Sequence, residues 1–317
     1  MDTRLTRQVN RESWNSYKES LFEFLSRRYV FIALTVVPTA LLFTFINLIP
    51  IGWAIYGSFH EIPLLSPEWT VVGFEHYEAI LSDPEFWTVL YRSVLFAGGS
   101  VALQLVVGVG FALLLNRSFK FEYIIRALVL LPYTIPTAVL GFLALWMMNS
   151  QWGIINQILV QLGLLQSSIP WFANPDLAMI SVIVMNSWKF SIFVTIMVLA
   201  RLQSIPDGYY EAAELAGANA YQRFRDITLP NLKGVIFIVL LLRGVWMFNK
   251  FDIIWVLTNG GPGQATETAA IYTFRTALFQ NNLGKAAAVS TILFIMLVAA
   301  AVIYFYVLEP EKEVRVE

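Results

Sequence analysis

Charged side chains occur inside long apolar stretches of the sequence. Lys189 lies about 18 Å of helix from Arg201. Arg243 lies about 15 Å of helix from Lys233, so both cations are predicted near the middle of a bilayer. An Arg or Lys at that depth costs about 2.5–3.5 kcal/mol and needs a paired, wet or interior location. The candidate residues for a solute pathway are Asn186, Lys189, Arg243, Trp246, Met247 and Lys250.

These residue types suit a binding site for a hydrophilic solute. Amide and cationic groups donate directed hydrogen bonds, and Trp188 or Trp246 offers a flat apolar face to a sugar ring. The excess of positive charge favours an anionic solute, such as a uronate oligosaccharide or glycerol phosphate, although neutral sugars accept the same hydrogen bonds. Alternatively, Arg243 and Lys250 pair with Asp252, helix carbonyls or a partner subunit and only stabilise packing. The spacing i, i+3, i+4 and i+7 predicts one helical stripe of Arg243, Trp246, Met247 and Lys250.

The second polar feature is the stretch YYEAAELAGANAYQRFRDITLP, residues 209–230. Asp207 is predicted to cap one short helix, and Gly217 fits the left-handed position that ends it. Asn219 and Gln222 have the spacing of a capping box for a second helix, which the final proline of the stretch is predicted to stop. The stretch therefore predicts a hairpin of two short helices.

The predicted hairpin has the composition of a docking surface. Its alanines leave a small-residue face that another protein can approach closely, and Glu211 and Glu214 flank that face. Neither helix is long or apolar enough to enter the bilayer. The alternative is an ordinary solvated loop. The alanines are Ala212, Ala213, Ala216, Ala218 and Ala220.

Membrane-spanning helices are the elements that must position both features. Of the 317 residues, 57% are hydrophobic and only 14% are charged, against about a quarter charged in soluble domains. The net charge of -1 gives no reason to bind nucleic acid, and the absence of cysteine excludes disulfides and thiolate metal sites. The fold class predicted is all-α, a polytopic membrane protein with six transmembrane helices. They cover about residues 29–50, 93–115, 124–147, 177–200, 231–257 and 286–308.

Lys and Arg residues indicate the orientation of these spans. The loop of residues 52–91 and the stretch 149–176 contain neither residue type, whereas the N-terminal segment and the loops after the second and fourth spans contain several. The positive-inside rule therefore places both termini and the hairpin in the cytoplasm. Pro132 and Pro136 predict a bend in the third span, since each removes a backbone donor.

The predicted organisation has three parts. A cytoplasmic N-terminal segment covers residues 1–28, the six-helix transmembrane domain covers 29–308 and contains the hairpin at 207–230, and a cytoplasmic tail covers 309–317. The N-terminal segment lacks the short apolar region of a cleaved signal peptide. Helical spacing of its apolar residues predicts an interfacial helix or, alternatively, a helix packed on the bundle. Those residues are Trp14, Tyr17, Leu21 and Leu25.

A longer motif runs through the hairpin. Its residues are Glu211-Ala212-Ala213, Gly217, Ile227 and Leu229-Pro230, with the spacing E-A-A-x3-G-x9-I-x-L-P. This spacing resembles in every position the EAA motif of permease subunits of ATP-binding-cassette (ABC) importers. The stretches VVGFEHYEAILSDPEFWTVLYRSVLF, WGIINQIL and LTNGGPG are similar to parts of sugar permeases of the maltose and glycerol-phosphate type. Ala216 departs from the Asp usual there, and Arg92-Ser93 from Asn-Thr.

The resemblance implies a transport subunit that performs no covalent chemistry. Glu211 is implied to anchor the hairpin in a cleft of a cytoplasmic ATPase, Ala212 and Ala213 to form the close-packing face, and Gly217 to make the turn, with Leu229 and Pro230 completing the coupling motif. The sequence contains no G-x4-G-K-[ST] motif, so no cofactor is expected on this chain and ATP and Mg²⁺ are expected on the ATPase. The implied partners are a second permease, two copies of the ATPase, an extracytoplasmic substrate-binding protein and the lipid of a prokaryotic cytoplasmic (inner) membrane.

An ion-coupled secondary transporter is the alternative function. Such a carrier uses ionisable groups inside the membrane, but Asp252 is the only acidic residue well within a predicted span. An intramembrane hydrolase is disfavoured because His60 and His76 both fall in one predicted outer loop. The function expected is therefore a transmembrane permease for a carbohydrate-type solute.

Overall fold

A computed structural model describes residues 28–65, 68–117 and 120–308 of the chain. Two compact units, Met1–Gly57 and Ser58–Glu317, divide the chain. The interfacial helix predicted near the N-terminus and the predicted C-terminal tail lie outside the described residues.

The described part of the first unit is a long apolar helical segment. Helix α1 (Arg28–Phe43) passes into a π-helical turn (Thr44–Leu48) and then into α2 (Ile49–Gly57). Pro38 lies inside α1. The segment Tyr29–Gly57 is 29 residues long and apolar enough to cross a membrane, so the first span is longer than the predicted one.

The second unit is almost entirely helical. Two short antiparallel strands pair His60 with Val71, and the all-α prediction did not include them. The elements are β1 (His60–Glu61), β2 (Thr70–Val71), α3 (Glu75–Ser82), α4 (Pro84–Leu115), α5 (Glu122–Thr134), α6 (Thr137–Met147), α7 (Ile154–Gln161), α8 (Pro175–Gln203), α9 (Asp207–Leu215), α10 (Ala220–Arg223), a π-helical turn (Phe224–Thr228), α11 (Leu229–Phe248), α12 (Asp252–Thr258), α13 (Ala269–Leu278) and α14 (Leu283–Val307).

Within the described residues, five helical stretches are long and apolar enough to span a membrane, or six when the bent pair α5–α6 counts as one span. Helix α4 begins earlier than predicted because Asp83 accepts a hydrogen bond from the backbone N–H of Glu85 at 2.9 Å and Pro84 occupies the first turn. The prediction of six apolar spans and a mostly helical fold is confirmed.

The third span is broken, as its prolines predicted. Helices α5 and α6 meet at an angle of 96°. Pro132 lies inside α5, while Ile135 and Pro136 between the helices have extended backbone. The break leaves backbone carbonyl groups without helical partners, so they need donors from elsewhere in the protein.

The fifth span differs from its prediction at both ends. The helix runs from Ala220 through the π-helical turn to Phe248, and α12 is a separate helix after the irregular segment 249–251. The prediction that Pro230 stops the second arm of the hairpin was wrong. Pro230 lies in the first turn of α11, where its missing N–H is tolerated.

Helix α8 packs closely against α4 in the centre of the second unit. A Cβ atom on Gly108 of α4 would lie 2.5 Å from Cβ of Val194 of α8, so only glycine permits this approach. The hydroxyl of Ser187 donates a hydrogen bond to the carbonyl O of Ser100 at 3.2 Å across the same interface. Small residues let membrane helices approach closely, and this contact gives α8 a fixed position beside the candidate pathway.

Candidate functional site

The first arm of the hairpin is α9, which begins without a side-chain cap and ends in a hydrogen-bonded turn. Asp207 is the first helical residue after Pro206 and makes no side-chain cap, so the prediction that it caps α9 was wrong. At the other end, Gly217 has φ of 80°, as predicted. The N–H of Ala218 donates to the carbonyl O of Ala213 at 2.9 Å, and the N–H of Gly217 to that of Glu214 at 3.0 Å. This is a Schellman motif, and it makes the turn between the arms.

The second arm begins with the predicted capping box. The side chain of Asn219 accepts from the N–H of Gln222 at 2.9 Å, and the side chain of Gln222 accepts from the N–H of Asn219 at 2.8 Å. The arm then continues through the π-helical turn into α11. The second arm of the hairpin is therefore the N-terminal part of the fifth span, not an independent short helix.

Two contacts join the arms to each other. Tyr210 Oη and Thr228 Oγ1 share a hydrogen bond of 3.0 Å, and Thr228 is buried. Glu214 and Arg223 form an ion pair of 3.1 Å. In addition, Arg201 at the end of α8 donates to the carbonyl O of Asn231 at 2.9 Å. The hairpin is thus connected to the ends of two membrane helices.

The face of the hairpin that carries the motif is open. Glu211 and Ala212 are exposed, and Ala213 is half-buried. The side chain of Leu215 is 91% exposed. Helix α9 is too short to enter the bilayer, so lipid does not explain this exposed apolar side chain. Leu229 and Pro230, the last residues of the motif, are also exposed. This arrangement suits a surface that another protein covers.

Lys189 lies at the break in the third span. Its Nζ donates to the carbonyl O of Ile135 at 2.5 Å and to Oγ1 of Thr137 at 3.0 Å. The lysine is buried. Lys189 therefore donates to a carbonyl group that the break leaves without a helical partner. Two of its three N–H groups are used in this way, so these two favour a role in stabilising the broken span.

Arg243 lies in a polar network between three helices. The side chain is 1% exposed, and its Nε donates to Oε1 of Gln104 on α4 at 2.8 Å. Asn186 on α8 donates to Oγ of Ser100 at 3.2 Å and to Sδ of Met247 at 3.0 Å. Three of the predicted pathway residues therefore meet in the core of the helix bundle.

Lys250 does not share a helix with Arg243. It lies in the segment between α11 and α12, so the predicted stripe ends at Met247. Lys250 pairs with Asp252, with its Nζ 2.8 Å from Oδ1. The proposed pairing with Asp252 is thus correct for Lys250, whereas Arg243 bonds Gln104 instead.

Aromatic rings complete the surroundings of these cations. The ring of Phe190 lies 4.8 Å from Cζ of Arg243, and the Trp246 ring lies 5.6 Å from the same atom. Trp188 and Trp246 are both partly exposed, and the ring of Phe193 also packs against Trp246. Sequence reasoning missed Gln104 and Phe190. The isolated glutamine in an apolar span was a detectable signal for Gln104.

The sequence and the fold both match known proteins. Residues 104–312 match the family described as binding-protein-dependent transport system inner membrane component. The chain belongs to this family. It is therefore an inner membrane component of a transport system, which we call the permease.

Curated relatives extend the match over most of the permease. It is 34% identical to the sulfoquinovosyl glycerol transport system permease protein SmoG of Agrobacterium fabrum, over 87% of this chain and 89% of that protein. It is 36% identical to the trehalose/maltose transport system permease protein MalF of Thermococcus litoralis, over 82% and 87%. It is 38% identical to the inner membrane ABC transporter permease protein YcjO of Escherichia coli K12, over 85% and 91%.

A solved structure supports the fold of the permease. A chain from a bacterial ABC transporter involved in the import of the acidic polysaccharide alginate superposes with a TM-score of 0.78. The alignment covers 93% of the permease and all of that chain at 20% identity. The helical architecture of the permease is therefore that of an ABC transporter permease.

Proposed function

We propose that the permease forms, with a second permease subunit, the membrane pathway of an ABC importer for a carbohydrate-type solute. The relatives named above are permeases for sulfoquinovosyl glycerol and for trehalose and maltose, and these names support the carbohydrate class. An extracytoplasmic binding protein delivers the solute. A solved alginate transporter in complex with a periplasmic protein bound to an alginate pentasaccharide supports this part of the proposal.

The open face of the hairpin is the observation that carries the energy-coupling part of the proposal. Each of two permeases presents one hairpin to one cytoplasmic ATPase, so the assembly holds two ATPase copies. Glu211 and Ala212 are exposed in the middle of α9, and the tight turn at Gly217 joins α9 to the second arm. ATP-driven closure of the ATPases moves the hairpins and switches the pathway between its two openings. ATP and Mg²⁺ bind to the ATPases.

Affinity pull-down from the native membrane tests this proposal. The permease is purified with its partners, which are identified by mass spectrometry, and a Glu211→Lys variant is treated in parallel. We expect an ATPase and a second permease with the wild type, and loss of the ATPase alone from the variant. Glu78→Lys is the matched control, since it makes the same charge change on the exposed surface of α3.

The result also separates the proposal from an ion-coupled carrier. If no ATPase accompanies the wild type, or if transport continues without one, the ABC mechanism is wrong. Asp252 is then the residue to examine for ion coupling, although its carboxylate already pairs with Lys250 at 2.8 Å.

A further inference from the structure

Three cationic side chains converge on the ring of Phe190. Nζ of Lys250 lies 4.3 Å from the ring centroid, Cζ of Arg243 lies 4.8 Å from it, and Nζ of Lys189 lies 5.3 Å from it. The cations come from α8, from α11 and from the segment after α11. We call these four residues together with Asp252 the cationic cluster.

The cationic cluster has too few negative charges. Among the described residues, Asp252 is the one carboxylate in ion-pair contact with these cations, and it contacts Lys250. Lys189 bonds a carbonyl and a hydroxyl, and Arg243 bonds the amide of Gln104, all of which are neutral. The cluster therefore holds three cations and one anion. Cations buried without a counter-charge are strongly unfavourable, so an anion is expected to complete the cluster.

Two helix breaks meet at the cationic cluster. Lys189 donates a hydrogen bond to the carbonyl O of Ile135 at the break between α5 and α6. Lys250 lies in the break between α11 and α12. Irregular backbone at membrane depth is tolerated where it is buried in protein or lines a water-filled cavity. The cluster is open on one side, because the side chain of Asp252 is 44% exposed while that of Lys250 is 16% exposed. Asp252 thus covers Lys250 on the accessible side.

We propose that the cationic cluster binds an anionic group of the transported solute, a carboxylate or a sulfonate, which displaces Asp252 from Lys250. Asp252 is the internal counter-ion that pairs with Lys250 when no solute is bound. The remaining N–H of Lys189 is a second donor to the same anion, because two of its three are used by the third span. This assignment rests on the proposed function, whose solute class it narrows to acidic sugars.

A thermal unfolding titration tests the proposal. The permease, purified with the subunits that accompany it, is titrated with potassium D-glucuronate. Potassium chloride at the same ionic strength and D-glucose are the references. We expect saturable stabilisation by glucuronate alone, since a ligand that binds only the native state raises its stability.

Variants identify the site of the anion. Asp252→Asn removes the competing carboxylate, so the half-saturating concentration of glucuronate falls at least about tenfold, or about 1.4 kcal/mol. Lys250→Met, or Lys250→Gln if the first variant does not fold, abolishes the stabilisation. Lys233→Met is the matched control, because it removes an exposed lysine near the start of α11, the helix that precedes Lys250, and it behaves like the wild type.

Equal unfolding temperatures in glucuronate and chloride overturn the proposal, and the missing counter-charge then belongs to the partner permease. Stabilisation that persists in both Lys250 variants overturns it as well. Failure here is distinguishable from failure of the proposed function, because the pull-down with Glu211→Lys reports ATPase docking and does not depend on the anion.

Discussion

Tyr210 Oη lies 3.0 Å from Thr228 Oγ1, and this hydrogen bond joins the first arm of the hairpin to the start of the fifth span. The two residues belong to different arms, and Thr228 is buried at the root of α11. A force applied to α9 therefore reaches α11 by a direct side-chain contact in addition to the chain itself.

Tyr210→Phe is expected to loosen α9 without unfolding the permease. A neutral hydrogen bond contributes about 0.5–1.5 kcal/mol, so amide hydrogen exchange in α9 accelerates about two- to tenfold. Exchange measured by mass spectrometry checks this. Tyr221→Phe, at an exposed position in α10, is the control. Unchanged exchange in α9 would show that the hydrogen bond does not hold the arm.

The orientation of the chain is open to a direct chemical test because the sequence contains no cysteine. Leu215 and Val71 are both exposed, so a single cysteine placed at either position is accessible to a reagent. A membrane-impermeant maleimide is expected to label Val71→Cys in intact cells and Leu215→Cys only in inside-out vesicles. Labelling of Leu215→Cys in intact cells would place the hairpin outside and contradict the proposed docking to a cytoplasmic ATPase.

Lys189 is expected to set the angle of the break in the third span. In Lys189→Met the carbonyl O of Ile135 loses its donor, and a buried unsatisfied group costs about 1–3 kcal/mol. Spin labels on cysteines at Leu128 of α5 and Leu143 of α6, both exposed, report the angle as a distance. We expect a broader or displaced distribution in Lys189→Met and recovery in Lys189→Arg. A narrow, unshifted distance distribution in Lys189→Met would show that the lysine does not set the angle of the break and acts only within the cationic cluster.

Glu267 gives the loop between α12 and α13 a pH-dependent contribution to stability. Burial raises the pKa of this carboxyl group, which is 2% exposed, and the nearby Arg275, 3.1 Å away, partly opposes the rise. The native state therefore holds the proton more tightly than the unfolded chain, so the contribution of Glu267 to stability is greatest at low pH. It is lost as the pH rises through the ordinary titration range of glutamate and on through the raised pKa.

Thermal unfolding of Glu267→Gln checks the sign. The stability of the wild type relative to this variant is expected to fall as the pH rises across that range. Glu78→Gln, on the exposed surface of α3, is the control for general effects of charge. A relative stability that rises with pH would mean that the ion pair with Arg275 outweighs burial.

Local rules explain which parts of the site could be predicted from the sequence. Gly217 and the pair Asn219 and Gln222 follow conformational and capping preferences that depend on a few neighbouring residues, and the structure has both features. The bend in the third span follows from the chemistry of proline in the same way. Pro230 was misjudged because a proline that ends one helix and a proline in the first turn of the next look alike in the sequence.

Contacts between distant segments explain the rest. The partner of Arg243 is Gln104, which lies far away in the chain, and local spacing carries no information on such a pair. Lys250 was assigned to the stripe because no glycine or proline marks the end of α11 at Phe248. Both errors concern the cationic cluster, where tertiary contacts decide the conformation.

The continuous helix from Ala220 to Phe248 has a mechanical consequence. Its 29 residues make a rod about 43 Å long, with the docking hairpin at one end and the cationic cluster near the other. If the rod stays rigid, a tilt of about 5° about the hairpin end displaces the far end by about 4 Å, which is less than the rise of about 5.4 Å of one helical turn. In the proposed assembly, a small rotation that an ATPase imposes on the hairpin is thereby converted into a displacement large enough to separate Lys250 from its neighbours on α8.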